Sequence, residues 1–234
     1  MVGNDCIQIA AGGDYDARKL LYEYYFHEPP RNIQNMYRDE VLEKAAINIL
    51  NAMLDIGVEG ILNLIAEHTD EILPITMANI PMYSNIYDVD RIPVIVASNP
   101  GCSRHLMGYY FKKFANKEAQ RKYGDTHYKA AALMGLVTGQ EPFEITFIGR
   151  AYVARDAKEQ DRLRACLCLK IPIIQKYLTD ACKNPFDGMA LLREIHTESS
   201  AVRRRSSIKQ MISQIMPHLS LPVCNKIIDN ISWK

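Results

Sequence analysis

The chain has 234 residues, of which 48% are hydrophobic and 24% are charged, and its formal net charge at pH 7 is +1. These shares are ordinary for a folded protein and argue against a wholly disordered chain. The length suffices for one large domain or two small ones.

Membrane insertion and export are not indicated by the sequence. No apolar run approaches the roughly 20 residues that span a bilayer. The first residues lack the basic start and the sustained apolar stretch of a secretory signal. We therefore expect a cytoplasmic protein with no membrane partner.

The six cysteines form no CxxC pair, and Cys166 and Cys168 lie in one apolar, helix-like stretch. A zinc site would want two close pairs, or one pair followed by closely spaced histidines. We therefore expect reduced, mostly buried thiols and no metal site.

The small net charge hides a division between the two halves of the chain. Residues 1–100 hold 6 Lys and Arg against 15 Asp and Glu, whereas residues 101–234 hold 22 against 12. The basic half is suited to a polyanion, and the acidic half would repel phosphates. This asymmetry indicates different partners for the two halves.

The first elements in chain order are helices. Residues 14–27 predict a tyrosine-rich helix that the following prolines end. Apolar residues at steps of three and four predict an amphipathic helix that stops at or near Gly57. Another helix follows up to Pro74. We expect an acidic helical domain over residues 1–80, which would dock a partner.

Four tyrosines of this acidic domain fit either a core or a docking surface, because aromatic residues are enriched in both. They are Tyr15, Tyr22, Tyr24 and Tyr25. Four prolines then break residues 74–100 into short pieces, with one β-prone run at Val94–Ala97.

Residues 81–183 predict a winged-helix domain, because three helices are followed by two short strands. Ser103 caps the first helix, Gly124 ends the second, and Asp125 or Thr126 caps the third. The two strands are expected at Leu136–Thr138 and Phe143–Phe147, around a turn that contains glycine. Further helix follows, with a kink or a fresh start at Pro172.

Residues 184–234 predict a second helix-turn-helix domain. A helix over residues 184–195 and a tight turn precede a long helix, which Pro217 stops. The last segment, from Leu221, fits either a strand or a helix.

The long helix contains the run Arg203–Arg205 and separates into two faces by its spacing. Ser200, Arg203, Arg204 and Ser207 share one face. Arginine can fork onto guanine O6 and N7, and serine can reach phosphates or base edges. An apolar stripe further along would anchor the helix to a core: Ile208, Met211, Ile212 and Ile215. The alternative is a solvated helix end.

Two motifs within roughly residues 100–216 carry a resemblance to a known family. The first consists of Tyr128, Ala131, Gly135, Leu136, Val137, Ile145, Thr146, Gly149 and Arg150. The second consists of Ser200, Ala201, Arg203, Arg204, Ser206 and Ser207, with Met211 where such proteins often carry tryptophan. They resemble the winged-helix DNA-recognition domains of type II restriction and nicking endonucleases. The resemblance implies target recognition in a restriction or phage-defence system.

The predicted DNA contacts combine these motifs with the start of the predicted third helix, because N-terminal residues of a recognition helix approach base edges. They are Thr126, His127, Lys129, Arg150, Ser200, Arg203, Arg204, Arg205, Ser207 and Lys209. Five further cations suit phosphates, which give affinity without sequence information: Lys112, Lys113, Lys117, Arg121 and Lys122.

The sequence contains no complete catalytic motif. The acidic pair plus lysine of common restriction nucleases is not found, because no Glu-x-Lys follows Asp88 and Asp90, which read as a polar loop. A thiol site could in principle use Cys102, His105 and His127. A capped helix start with incidental histidines is the better interpretation of these residues. We expect no catalytic residue and no cofactor, with Mg²⁺ needed only if the chain cleaves DNA, alone or with a partner.

We therefore expect a mainly α-helical protein that binds double-stranded DNA, with cleavage on a partner chain. A nuclease subunit or a second copy would dock through residues 1–80. The alternatives are a metal-dependent restriction endonuclease in its own right, a winged-helix transcriptional regulator, and an interaction scaffold without DNA.

Overall fold

The computed structural model describes residues 5–13, 15–27, 36–82 and 86–233, and it is mainly α-helical, as predicted. The helices are α1 (Asp5–Gly12), α2 (Ala17–Phe26), α3 (Asp39–Glu67), α4 (Arg91–Ala97), α5 (Arg104–Phe111), α6 (Lys117–Leu133), α7 (Phe147–Val153), α8 (Ala157–Cys168), α9 (Pro172–Lys183), α10 (Gly188–Ile195), α11 (Glu198–Ile215) and α12 (Leu221–Asn230). Short 3-10 helices lie at Thr69–Glu71, Met77–Asn79, Ile86–Asp90 and Met216–His218. Two strands, β1 (Phe186–Asp187) and β2 (Ile231–Ser232), pair in parallel.

Helix α3 lies at the centre of the fold and packs against α1, α2, α7, α8 and α9. Gly57 has φ 72° and ψ 169°, which breaks the helical path, so the predicted stop there is confirmed as a kink. Glycine is suited to this position because a side chain makes positive φ unfavourable. Two helical segments therefore meet at Gly57.

Within the described residues, α3 is also the one helix long and apolar enough to cross a bilayer, with a mean hydropathy of 1.6 over its most apolar window. The apolar run of α3 is therefore longer than the sequence pattern indicates. Half of that window is buried inside the fold, and the central helix of a folded core meets the same two criteria.

One hydrophobic cluster holds the buried residues together, from Ile7 in α1 to Ile227 in α12. It crosses both predicted domain boundaries, after residue 80 and after residue 183. The Tyr25 hydroxyl also crosses the first boundary, donating a hydrogen bond to the Cys166 carbonyl oxygen at 2.8 Å. The three predicted ranges therefore do not have separate cores.

The tyrosines of α2 belong mainly to that cluster. Tyr24 and Tyr25 are buried, while Tyr15 and Tyr22 are partly buried and pack against it. The Tyr22 hydroxyl donates to Glu71 Oε2 at 2.6 Å. These contacts favour the core interpretation over the docking surface.

All six cysteines are free thiols, as predicted; Cys102, Cys166 and Cys168 are buried and Cys6 is partly buried. Burial raises the pKa of Cys6, Cys166 and Cys168 to about 12. Because the thiolate is the reactive form, these three thiols are chemically quiet at neutral pH.

A buried ion pair joins the segment before α4 to α7 and α8. Arg164, which is 5% exposed, donates to the carboxylates of Asp90 and Asp161. The Tyr152 hydroxyl donates to the other oxygen of Asp90 at 2.5 Å. Asp88 instead faces Arg91, at 3.5 Å. The prediction of one polar loop is therefore wrong for Asp90, which is partly buried and pairs with the buried Arg164.

The predicted β-prone run at Val94–Ala97 is wrong, because these residues belong to α4. Pro93 lies in the first turn of this helix, where its missing N–H costs nothing. Ile92, Ile95 and Val96 are buried against the core. Packing of an apolar face therefore outweighs the β preference of branched side chains.

The predicted helix break at Gly124 is also wrong, since α6 runs unbroken from Lys117 to Leu133. Gly124 faces α5, where a Cβ atom would lie 1.8 Å from the Arg104 carbonyl oxygen. Thr126 does not cap a helix. Its hydroxyl donates to the Tyr123 carbonyl oxygen at 2.9 Å, one turn back in the same helix.

The two predicted strands after this helix are reduced to an isolated antiparallel bridge between Val137 and Ile145. Thr146 caps α7 by accepting a hydrogen bond from the Gly149 N–H at 2.9 Å, so Phe147 is helical rather than extended. Two helices and two isolated bridges, the second between Cys102 and Phe143, replace the expected three helices and hairpin. The winged-helix order of elements is not confirmed.

The helices predicted at the end of the chain are confirmed. Helices α10 and α11 are joined by His196 and Thr197, and α11 gives way to a 3-10 turn that contains Pro217. The fresh start at Pro172 is also observed, as the first residue of α9. The undecided last segment forms both α12 and β2.

Candidate nucleic-acid interface

The three consecutive arginines of α11 point to three different surroundings, because neighbouring helical residues are about 100° apart. Arg203 is exposed and donates to Ser200 Oγ at 3.3 Å. Arg204 is partly buried, beside residues of other elements. Arg205 donates to the carbonyl oxygen of Trp233 at 3.2 Å. The run is therefore not a single charged face.

Arg204 belongs to a group of four basic residues, which we call the cationic cluster: Lys129, His196, Arg203 and Arg204. Burial, and then the charge of Arg204, lower the pKa of Lys129. Burial lowers the pKa of His196, and the charges of Arg204 and Lys129 lower it further. Burial and Arg203 lower the pKa of Arg204. The four groups lie close enough to disfavour one another's charged forms.

The carboxylates nearest to the cationic cluster are held by other cations. Asp125, which offsets part of the effect on Lys129, is 3.0 Å from Arg104. Glu198 is 2.9 Å from Arg193 on α10. Among the residues that the structure describes, neither Arg203 nor Arg204 forms an ion pair with a carboxylate. Positive charge therefore accumulates here with only partial local compensation from Asp125.

The polar contacts of the cluster fix its position without neutralising it. Lys129 Nζ donates to the Met77 carbonyl oxygen at 2.9 Å. His196 Nε2 is buried and has no hydrogen-bond partner in the described part of the chain. A buried polar atom without a partner is uncommon and costs free energy.

Two residues predicted to contact DNA are turned away from solvent. Ser207 is 5% exposed, so its prediction as part of an outward face is wrong. His127 is 7% exposed, and its ring centroid lies 4.4 Å from that of Phe111. His127 Nδ1 also bonds the Tyr123 carbonyl oxygen at 2.7 Å. It lies in the second half of α6 rather than near a helix start.

The other predicted contacts divide between surface and structure. Arg150 is exposed on α7, outside the elements that form the cationic cluster. Lys209 Nζ lies 5.4 Å from the ring centroid of Trp233, whose carbonyl oxygen Arg205 holds. Arg205 and Lys209 therefore face the C-terminal strand. Ser200 accepts from both Arg203 and Thr197.

Sequence reasoning missed two features of this surface. His196 lies in the predicted turn, and the turn sequence does not indicate its interaction with Lys129 on α6. Phe114 lies between Lys113 and Lys117 and is 97% exposed. An aromatic residue inside a lysine-rich loop was the available signal for the second feature.

A thiol site is not assembled by the residues considered for it. Cys102 is buried and its pKa is raised by burial, whereas His127 packs on Phe111. Within the described residues, no group of three or more His, Cys, Asp or Glu side chains is placed to hold a metal ion.

An open cleft of about 340 Å³ lies apart from the cationic cluster, between residues 69–75, α9 and α10. Its charged residues include Lys176 and Asp180, which pair with each other at 2.9 Å. Its other side chains are mostly apolar. The cleft therefore presents no catalytic set.

Comparisons with protein-family models, with curated proteins and with solved structures find no match for this chain.

Proposed function

We propose that the protein binds double-stranded DNA through the cationic cluster. The observation that carries this proposal is that Lys129 on α6 lies near enough to His196 and Arg204, which follow 67 and 75 residues later, for their charges to influence one another. The charges of Lys129 and Arg203 each oppose the charge of Arg204, Asp125 offsets this only in part, and a polyanion relieves that repulsion. DNA supplies a phosphate charge for every 1.7 Å or so of helix axis.

The residues of the cluster are suited to different parts of this task. Arg203 is exposed near the start of α11, where a recognition helix approaches base edges. Lys129 and Arg204 are partly buried, and Lys129 is also held by its hydrogen bond to the Met77 carbonyl oxygen, which suits phosphate contacts. Arg205 and Lys209 face Trp233 and contribute to the fold instead.

We further propose that this binding serves target recognition in a restriction or phage-defence system. The motifs at residues 128–150 and 200–207 support this role by resemblance alone. Cleavage would then be performed by a partner chain. That nuclease subunit, or a second copy of this chain, would dock through residues 1–80.

Binding of a fluorescent duplex, followed by anisotropy at several salt concentrations, tests the first proposal. Affinity should fall steeply with salt, and Arg204→Ala should reduce the steepness of the logarithmic slope by about 1, the value of one lost phosphate contact. Arg18→Ala removes the same charge from α2, where Arg18 pairs with Glu67. That control should leave the slope unchanged.

Arg203 is tested on a preferred sequence, obtained by selection from a random DNA pool. Arg203→Ala should cost about 1–3 kcal/mol on that site and much less on unrelated duplexes, if Arg203 contacts guanine. Absent or salt-independent binding by the unaltered protein would refute the proposed function.

The same selection and a cleavage assay test the biological role. A short unique site supports restriction-type recognition, whereas a two-fold repeated site supports a dimeric regulator. Cleavage of plasmid by this chain alone with Mg²⁺ would overturn the assignment of cleavage to a partner.

A further inference from the structure

Helices α5 and α6 form a tight antiparallel hairpin whose backbones touch. A Cβ atom on Gly108 of α5 would lie 1.7 Å from the Gln120 carbonyl oxygen, and one on Gly124 of α6 would lie 1.8 Å from that of Arg104. Neither position has room for a side chain. The two helices therefore behave as one unit, with the loop of residues 112–116 at its tip.

The tip loop is held by hydrogen bonds from inside the hairpin. Gln120 is 5% exposed, and its Nε2 donates to the carbonyl oxygens of Lys112 at 3.1 Å and Lys113 at 3.2 Å. Asn116 caps α6 by accepting from the Ala119 N–H at 2.8 Å. These bonds fix the loop without any contribution from the side chain of Phe114.

Phe114 projects from this fixed loop and is 97% exposed. Phenylalanine side chains are usually buried in folded proteins. An almost fully exposed phenylalanine on a loop that hydrogen bonds hold in place is therefore unusual. Exposed lysines surround it in sequence: Lys112, Lys113 and Lys117. Lys112 Nζ lies 4.7 Å from the ring centroid of Tyr123, so another aromatic ring stands beside the tip.

The charge around the tip is nearly all of one sign. Between Arg104 and Gly124, Glu118 is the only carboxylate, against five lysines and arginines from Lys112 to Lys122. A flat apolar ring among cations matches a nucleotide, which offers a stacking face and a phosphate together. A membrane-surface helix would instead present an apolar face along its length, and α6 exposes Glu118, Arg121 and Lys122 beyond the tip.

We propose that the hairpin tip is a nucleobase-stacking site, in which Phe114 stacks on an unpaired or unstacked base of bound DNA while Lys113 and Lys117 contact the adjacent phosphates. This inference rests on the proposed DNA binding and adds the kind of DNA structure that the protein prefers. Aromatic or apolar wedges of this kind unstack base steps in other DNA-binding proteins.

The test compares affinities for a single-stranded oligonucleotide and for a duplex with one unpaired base, measured by anisotropy. Phe114→Ala should weaken both by roughly 5- to 140-fold, the range for loss of one stacked base. Phe114→Trp should restore binding, and the fluorescence of the new tryptophan should be quenched by either oligonucleotide. Leu221 is 73% exposed on α12, so Leu221→Ala and Leu221→Trp are matched controls that should show neither effect.

The possible failures are distinguishable. If the unaltered protein binds duplexes with a salt-dependent affinity but Phe114→Ala binds all the oligonucleotides equally well, the stacking site is refuted and the proposed function stands. If the unaltered protein binds no DNA, both fall. Binding to phosphatidylserine vesicles that depends on Phe114, with no effect on DNA, would also overturn the stacking site.

Discussion

Replacing Gly124 by alanine should destabilise the protein, although alanine is the better helix former by about 1 kcal/mol. The added Cβ atom would lie 1.8 Å from the Arg104 carbonyl oxygen, whereas real contacts of this kind stay above 3.0 Å. Helices α5 and α6 would therefore have to separate by about 1.2 Å at this point. Overpacking of this kind costs about 1–3 kcal/mol, and more against a rigid backbone. We expect a net loss of about 1–2 kcal/mol.

Thermal unfolding monitored by circular dichroism measures this loss. For a chain of this size, 1 kcal/mol corresponds to about 2–4 °C in Tm, so Tm should fall by roughly 2–8 °C. Gly139→Ala is the matched control, because a Cβ atom there meets nothing within 4 Å. It should change stability by no more than about 0.5 kcal/mol. A rise in Tm for Gly124→Ala would show that the helices are not in backbone contact.

Two further predictions concern groups in the interior. Arg164→Ala leaves the partly buried Asp90 without its cation but with the hydrogen bond from Tyr152, and should lower the free energy of unfolding in urea by about 1–3 kcal/mol, whereas no measurable loss would contradict a stabilising ion pair. Burial lowers the pKa of His127; the charges of Arg91 and Lys112 lower it further, and Asp88 opposes the shift. Below about pH 6.5 the unfolded chain therefore binds more protons than the folded one. Stability should therefore fall as the pH drops from 7 to 5, and His127→Gln should make this fall smaller. If stability depends on pH equally in the variant and the unaltered protein, His127 is not the group responsible.

Helix periodicity and proline positions predicted the parts of the fold that depend on local patterns. The apolar stripe of Ile208, Met211, Ile212 and Ile215 is buried as expected. Pro172 begins a helix, and Gly57 interrupts one. In each case the determining interaction lies within one or two helical turns, where the sequence itself holds the information.

The roles of glycine residues were harder to predict, because a glycine can either end a helix or allow another backbone segment to approach closely. Gly124 reads as a stop in the sequence, yet it remains helical and permits contact with Arg104. Only the position of α5 distinguishes these roles. Packing between distant segments likewise turned Val94–Ala97 into a helix.

The candidate site was predicted in part. Lys129 and Arg204 were both selected from the sequence, but for separate DNA-reading units, and nothing local indicated that they meet. Arg204 lies two turns before Met211 and so points to the same side of α11. At Met211 that side faces the hydrophobic core, and at Arg204 it faces Lys129 and His196. Ser207 is buried because α11 is covered over a wider arc than the apolar stripe suggests.

The attachment of Arg205 to the Trp233 carbonyl oxygen makes the charge of α11 depend on an intact C-terminus. With Trp233 in place, the helix offers a ligand two arginines rather than three. Proteolytic trimming of the last residues would release the third while removing β2 and the ring stacked on Tyr177. A trimmed molecule would therefore expose a third cation on α11 while it loses stability.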